Sequence, residues 1–130
     1  MCLFCKIIAG EIPSAKVYED DGILAILDIA QTTKGHTLVM PKKHYENVLE
    51  MPENEFAALM AKAQELAQKI VTNLDANGVN ILINTNEAAG QTIPHAHVHI
   101  IPRYDGNDSI QISFGENRYD LAEIVAEINK

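Results

Sequence analysis

The sequence predicts an α+β domain arranged around an antiparallel sheet. Three observations predict it. Short β-rich runs lie at both ends of the first hundred residues, a long stretch between them carries helical periodicity, and a brief second helical stretch closes the chain. The runs at 15–18 and 23–27 are separated by the acidic turn Glu19-Asp20-Asp21-Gly22, and a third, 36–40, is bounded by Gly35 and Pro41. The polar segment 28–34 connects the second run to the third. From 52 to 77 the period changes: Phe56, Leu59, Met60, Ala63, Leu66, Ala67, Ile70 and Leu74 recur at three- and four-residue steps, as on one face of a helix. Pro52 suits a first helical turn, Glu53 and Glu55 suit the positive end of the helix dipole, and Asn77-Gly78 suits a stop. Two more strands follow at 79–84 and 96–102. The tail carries Leu121, Ile124, Val125 and Ile128, one short helix.

Nothing marks a linker, a repeat or a low-complexity stretch, and 130 residues suit one domain, 1–130. With 47% hydrophobic and 22% charged residues, the composition is that of an ordinary soluble protein. Net charge is -8 with no basic run, which argues against a nucleic-acid polymer or a membrane surface as partner. A single nucleotide, held by backbone N–H groups and a few polar side chains, remains compatible. No stretch has the length of a membrane span and the N-terminus has no cleavable signal pattern, so the expected location is the cytoplasm. In that reducing setting Cys2 and Cys5, a Cys-x-x-Cys, are not expected to form a structural disulfide.

Residues 90–101 read Gly-Gln-Thr-Ile-Pro-His-Ala-His-Val-His-Ile-Ile. On a strand, successive side chains face opposite ways, so Ala96, Val98 and Ile100 would face a core while His95, His97 and His99 align on the other side. The bland alternative is a solvated strand with titratable side chains. Neighbours on one strand face lie about 6.6 Å apart, which separates His95 from His99 by roughly 13 Å. Three ligands on one zinc must each come within roughly 2.1 Å of it, so the three imidazoles are expected to divide their labour.

The loop 87–92 precedes them directly. Gly90 permits a tight path, Gln91 and Thr92 add donors, and such a loop can aim N–H groups at an anion. Imidazole, with an ordinary pKa near 6.5, is largely a neutral nucleophile at pH 7. Attack on phosphorus would give a phospho-imidazole that water then hydrolyses. The middle histidine, His97, is best placed, because a neighbour can donate to the phosphate oxygens. The residues thus point to hydrolysis or transfer at a phosphoryl group. No acidic cluster suited to a catalytic magnesium stands out, so no catalytic metal is expected.

His95-Ala96-His97-Val98-His99-Ile100-Ile101, with Gly90-Gln91-Thr92 upstream, resembles the signature of the histidine-triad family. So do the opening Phe4 to Pro13, Leu27-Asp28-Ile29 and Gly35 to Val39. The chain is most similar to the nucleotide-binding (Hint) branch. That resemblance implies five-stranded sheets joined in a homodimer and hydrolysis of purine nucleoside phosphoramidates, adenylate joined to an amine. His97 would be the nucleophile and His99 would contact the phosphoryl oxygens. Gln91, Thr92 and Asn84 would help to bind phosphate, and Asp28 would bind the ribose hydroxyls. Phe4, Ile7 and Ile26 would line a slot for the base, and His36 would sit behind the site. Ordinary roles compete: core packing for Phe4, Ile7 and Ile26, a turn for Asp28, strand packing for His36. A dinucleoside polyphosphate hydrolase, or a nucleotide-binding scaffold with incidental catalysis, are the competing functions. A hydrolase with two triad histidines on zinc fits the strand spacing poorly.

A Cys-x-x-Cys supplies half of a tetrahedral zinc site and two histidines can complete it. In cysteine-bearing relatives the other two ligands correspond here to His44 and His95, so the resemblance implies a structural zinc on Cys2, Cys5, His44 and His95, with free thiols as the alternative. The chain departs from the family pattern after Arg103: 105–117 is polar and there is no tryptophan. In this family the tail helps to choose the leaving group, so the leaving group is left open.

Overall fold

The computed structural model describes residues 2–130. In chain order its elements are α1 (Leu3–Ile8), β1 (Lys16–Glu19), β2 (Ile23–Leu27), β3 (Thr37–Pro41), α2 (Glu53–Asn73), β4 (Gly78–Leu82), β5 (Val98–Arg103) and α3 (Leu121–Ile128), with short 3₁₀ turns at Val48–Glu50 and Glu87–Ala89. The strands form one five-stranded sheet in the order β1-β2-β3-β5-β4. Every neighbouring pair is antiparallel, as expected for the fold class. No helix among the described residues is long and apolar enough to cross a membrane.

The sheet buries both faces. On one, Ala25, Val39, Ala96, Val98 and Ile100 meet Leu59, Ala63, Leu66, Ala67 and Ile70 of α2. These α2 residues are the stripe that the helical period predicted. On the other face, Leu24, Ile26, Leu38 and Met40 meet Phe4 and Ile7 of α1. β2 and β3 are central strands covered on both sides, which is why they read as continuous apolar runs. β4 is an edge strand, partly exposed along its length, with Ile81 open to solvent.

Four differences from the sequence expectation bear on the site and its surroundings. α1 was not foreseen. It is six residues long, with Cys2 as its N-cap: Cys2 Sγ accepts from Cys5 N at 3.1 Å, a role no cap preference predicts for cysteine. α2 stops at Asn73 rather than Asn77 because Asp75 takes a left-handed φ of 55° and reverses the chain. Asn77 is instead tied to the end of β5, its N–H donating to Arg103 O at 2.9 Å. β4 ends at Leu82, so Asn84 lies in the following loop. β5 begins at Val98, which leaves His95 and His97 just ahead of the strand and only His99 in it.

Candidate active site and candidate metal centre

Alternation through 95–100 holds despite the shorter strand. Ala96, Val98 and Ile100 are fully buried against α2, and the histidines face the α1 side. The three imidazoles then part company. His97 and His99 stay together with ring centres 5.0 Å apart, while His95 turns towards the N-terminus. Phe4 is the wedge between the two groups, set edge-on to His97 at 5.0 Å and to His95 at 5.9 Å.

His97 is buried, and its Nδ1 lies 2.7 Å from the carbonyl oxygen of His95. A carbonyl only accepts, so Nδ1 carries the proton and Nε2 keeps its lone pair. Burial lowers the pKa of His97 against the opposing pull of this hydrogen bond and of Asp28, so the ring is neutral at pH 7.

His99 Nδ1 lies 3.0 Å from His36 Nε2, and His36 Nε2 lies 3.8 Å from Asp28 Oδ2. The nearby carboxylate favours a proton on His36 Nε2, which donates to His99 Nδ1 and leaves the His99 proton on Nε2. His36 Nδ1, buried without a partner, is then a bare acceptor rather than a stranded N–H. Burial first, then the rings of His97 and His36, push His99 down to about 4. The pair therefore presents one nitrogen with a lone pair and a neighbouring neutral ring with an N–H.

His95 is fully buried and has a different set of partners. Its Nε2 donates to Pro41 O at 2.8 Å, which frees Nδ1 as a ligand atom. That Nδ1 lies 3.2 Å from His44 Nδ1, and 3.5 and 3.6 Å from the sulfurs of Cys2 and Cys5. His44 Nδ1 lies 3.6 and 3.3 Å from the same two sulfurs, and all four ligand atoms fall within 4.8 Å of one another. In a tetrahedron the donor–donor edge is about 1.6 times the bond, so zinc bonds of ~2.3 Å to sulfur and ~2.1 Å to nitrogen require edges of roughly 3.4–3.8 Å. The donor set, its chemistry and its edges fit a tetrahedral Cys2His2 site within a few tenths of an ångström. The four residues singled out in the sequence are the four brought together.

A model of the HIT domain matches residues 9–106. The chain belongs to the HIT family. A solved structure from Streptococcus mutans superposes on this HIT domain with a TM-score of 0.92 at 48% identity, over 98% of this chain and 83% of the other. An Arabidopsis thaliana protein named adenylylsulfatase HINT3 is 42% identical over 92% of this chain and 60% of its own length. A histidine triad nucleotide-binding protein of Candida albicans, 28% identical, superposes with a TM-score of 0.85 over 99% of this chain and 93% of the other.

Around the triad of this HIT protein, several expected contacts take other forms. Gln91 does not present donors to an anion. Its Nε2 donates to Glu46 O at 2.7 Å and Ile93 O at 3.0 Å, and its Oε1 accepts from Asn86 N at 2.8 Å. Of the loop 87–92 expected to aim N–H groups at an anion, the N–H groups of Ala89, Gly90 and Gln91 are likewise spent inside the loop. Gln91 is the brace of the loop. Gly90 is needed there for its φ of +99°, with Asn84 Nδ2 3.6 Å from where a Cβ would stand. Thr92 is exposed on a cleft of ≈ 490 Å³ that Asn47, Asn86 and Pro94 also line.

Phe4, Ile7 and Ile26 are 2%, 9% and 4% exposed, so they are packed core and leave almost no surface for a base. Ile29, which reasoning from sequence did not single out, is fully exposed next to Asp28. Its signal was visible: one isoleucine standing in a polar connection. Asp28 fills the turn role, its Oδ1 accepting from Ala30 N at 2.8 Å, and also faces His36 with Oδ2. Pro41 was missed as well, because a backbone carbonyl that fixes an imidazole leaves no mark in side-chain chemistry.

Proposed function

We propose that this HIT protein hydrolyses purine nucleoside phosphoramidates through a nucleotidyl intermediate on His97. The observation that supports it most directly is the 2.7 Å bond from His97 Nδ1 to the His95 carbonyl, which leaves Nε2 as a neutral, aligned nucleophile. Nε2 forms a bond to the α-phosphorus as the bond to the nitrogen breaks, and the leaving nitrogen takes a proton from water and departs as the amine. Water then displaces the imidazole and releases the nucleoside monophosphate. His99 donates from Nε2 to a phosphoryl oxygen as charge builds there. Asp28 stands where a ribose hydroxyl can donate to Oδ2, and exposed Ile29 supplies an apolar wall for the base beside it.

Adenylyl sulfate is the second substrate to assay, because the Arabidopsis relative carries that activity in its name and the same His97 adduct would form. Mass spectrometry of protein quenched during turnover is the test. One nucleotidyl adduct is expected on the peptide that spans 94–103, and turnover without any adduct would overturn the assignment. Comparing an adenosine phosphoramidate with adenylyl sulfate and a dinucleoside polyphosphate ranks the leaving groups.

Cys2, Cys5, His44 and His95 would hold a structural zinc, which when bound would tie α1 to the loop before β5. Burial and then the Cys2 thiol push the Cys5 thiol up, a penalty that a divalent cation on both sulfurs would reverse. Reduced thiols as ligands suit the cytoplasm. The working unit is a homodimer. β4 is an edge strand with Ile81 exposed, and all of 111–130 lies open to solvent with apolar side chains along it.

A further inference from the structure

The two imidazoles of the cysteine cluster are held in different ways. His95 is fully buried, with Nε2 fixed on the Pro41 carbonyl at 2.8 Å. His44 stands on the segment between β3 and α2, and of the four ligand residues it alone is exposed, its side chain at 39%. Packing holds the first ring in place. The second, open to solvent, can swing about its side-chain torsions and carry Nδ1 away from the two sulfurs.

One group on the solvent side opposes that swing. A neutral His44 that ligates through Nδ1 carries its proton on Nε2. Nε2 lies 3.4 Å from Glu46 Oε1, so the N–H has a carboxylate as acceptor. A surface pair with free side chains contributes little, and this carboxylate is 59% exposed. Here, however, the backbone beneath it is anchored on both sides. Glu46 O accepts from Gln91 Nε2 at 2.7 Å, and Glu46 N donates to Glu50 Oε2 at 3.2 Å. Between the two residues, Tyr45 O accepts from Ala96 N at 2.8 Å, one position after His95. The segment 44–46 is thus pinned to the stretch that carries the other histidine ligand. Little backbone entropy is left to lose when the carboxylate meets the ring.

We propose that Glu46 is a positioning residue of the metal centre: by accepting from His44 Nε2 it keeps that ring on the ion and slows the ion's release. The inference rests on the structural zinc proposed above. His44 is the ligand nearest to solvent, so zinc leaves when this ring turns outward, and Glu46 is the latch on the ring. Partners of this kind behind a ligating imidazole contribute roughly 10–100-fold in metal affinity.

Transfer of zinc from the full chain to a chromogenic chelator tests this. Glu46→Ala should release zinc about tenfold faster than wild type. The melting temperature and far-ultraviolet dichroism of the chelated protein should not move, because the carboxylate acts through His44 and not through the fold. Glu46→Gln keeps an oxygen for the N–H and should recover part of the slow release; no recovery would overturn the hydrogen bond as the cause. Glu87→Gln removes a negative charge from the same cleft and should release zinc at the wild-type rate. Equal acceleration by Glu87→Gln would assign the effect to net charge and overturn the inference. A wild-type release rate in Glu46→Ala, with one zinc bound per chain, overturns it too and leaves the zinc centre standing. A wild-type chain that binds no zinc overturns the centre and this inference together.

Discussion

A neutral acceptor fixes His97. The His95 carbonyl sets the tautomer as a carboxylate would, but adds no charge to the ring, so the reacting nitrogen gains direction without a large rise in basicity. Replacing His97 by Asn should lower turnover by about 10³-fold or more with little change in nucleotide affinity, read from initial rates and a binding titration. His99, with a pKa of about 4, should be neutral throughout the working range. Its ordinary value near 6.5 is the higher of the two, so the unfolded chain binds the proton first. The stability linked to His99 is full above about pH 6.5 and is lost as pH falls towards 4. An NMR titration of the His99 ring should show its midpoint near 4, and a midpoint near 6.5 would contradict the burial argument. The alignment of the three imidazoles, and the parting of His95 from His97 and His99, were legible in the sequence, because alternation and strand rise are fixed by covalent geometry. The job of Gln91 was not, because the same amide serves an anion or a loop, and only the closed path from Asn86 back to Glu46 decides between them.

Among the elements, the ones easiest to read were those with a long period. The α2 stripe and the runs of β2 and β3 follow from which faces are covered. α1 was hidden because six residues are too few to show a helical period, and because its cap is a sulfur. The end of α2 was hidden because Asp75 turns the chain before the more conventional Asn77-Gly78. Gly35 shows how one backbone position links elements. It has a φ of +97°, and a Cβ there would meet Leu74 Cδ1 at 2.5 Å and Pro102 Cγ at 3.2 Å. Gly35→Ala should therefore destabilise the fold by about 2 kcal/mol, measured by urea unfolding. It should also displace His36, the next residue, and so disturb His99 while leaving His95 and His97 in place.

At the scale of the whole molecule, two sites share one residue. His95 gives Nδ1 to the cysteine cluster and its carbonyl to His97, so the proposed metal centre and the proposed nucleophile are joined through a single backbone unit. Protein purified without chelator should contain about one zinc per chain by elemental analysis. Chelation should lower the melting temperature of the wild type, and Cys5→Ser should abolish both the zinc and that response. A pair of readily titrated thiols with no metal in the purified protein would count against the site.

The sulfur of Cys2 closes the first turn of α1 as well as pointing into that cluster. An oxidant that linked it to Cys5 would withdraw two ligands and the cap in one event. The short helix would then lose its clasp at the end nearest Phe4, the ring that leans on His97. Peroxide should silence such a protein from its first turn inward, and a thiol reductant should bring it back.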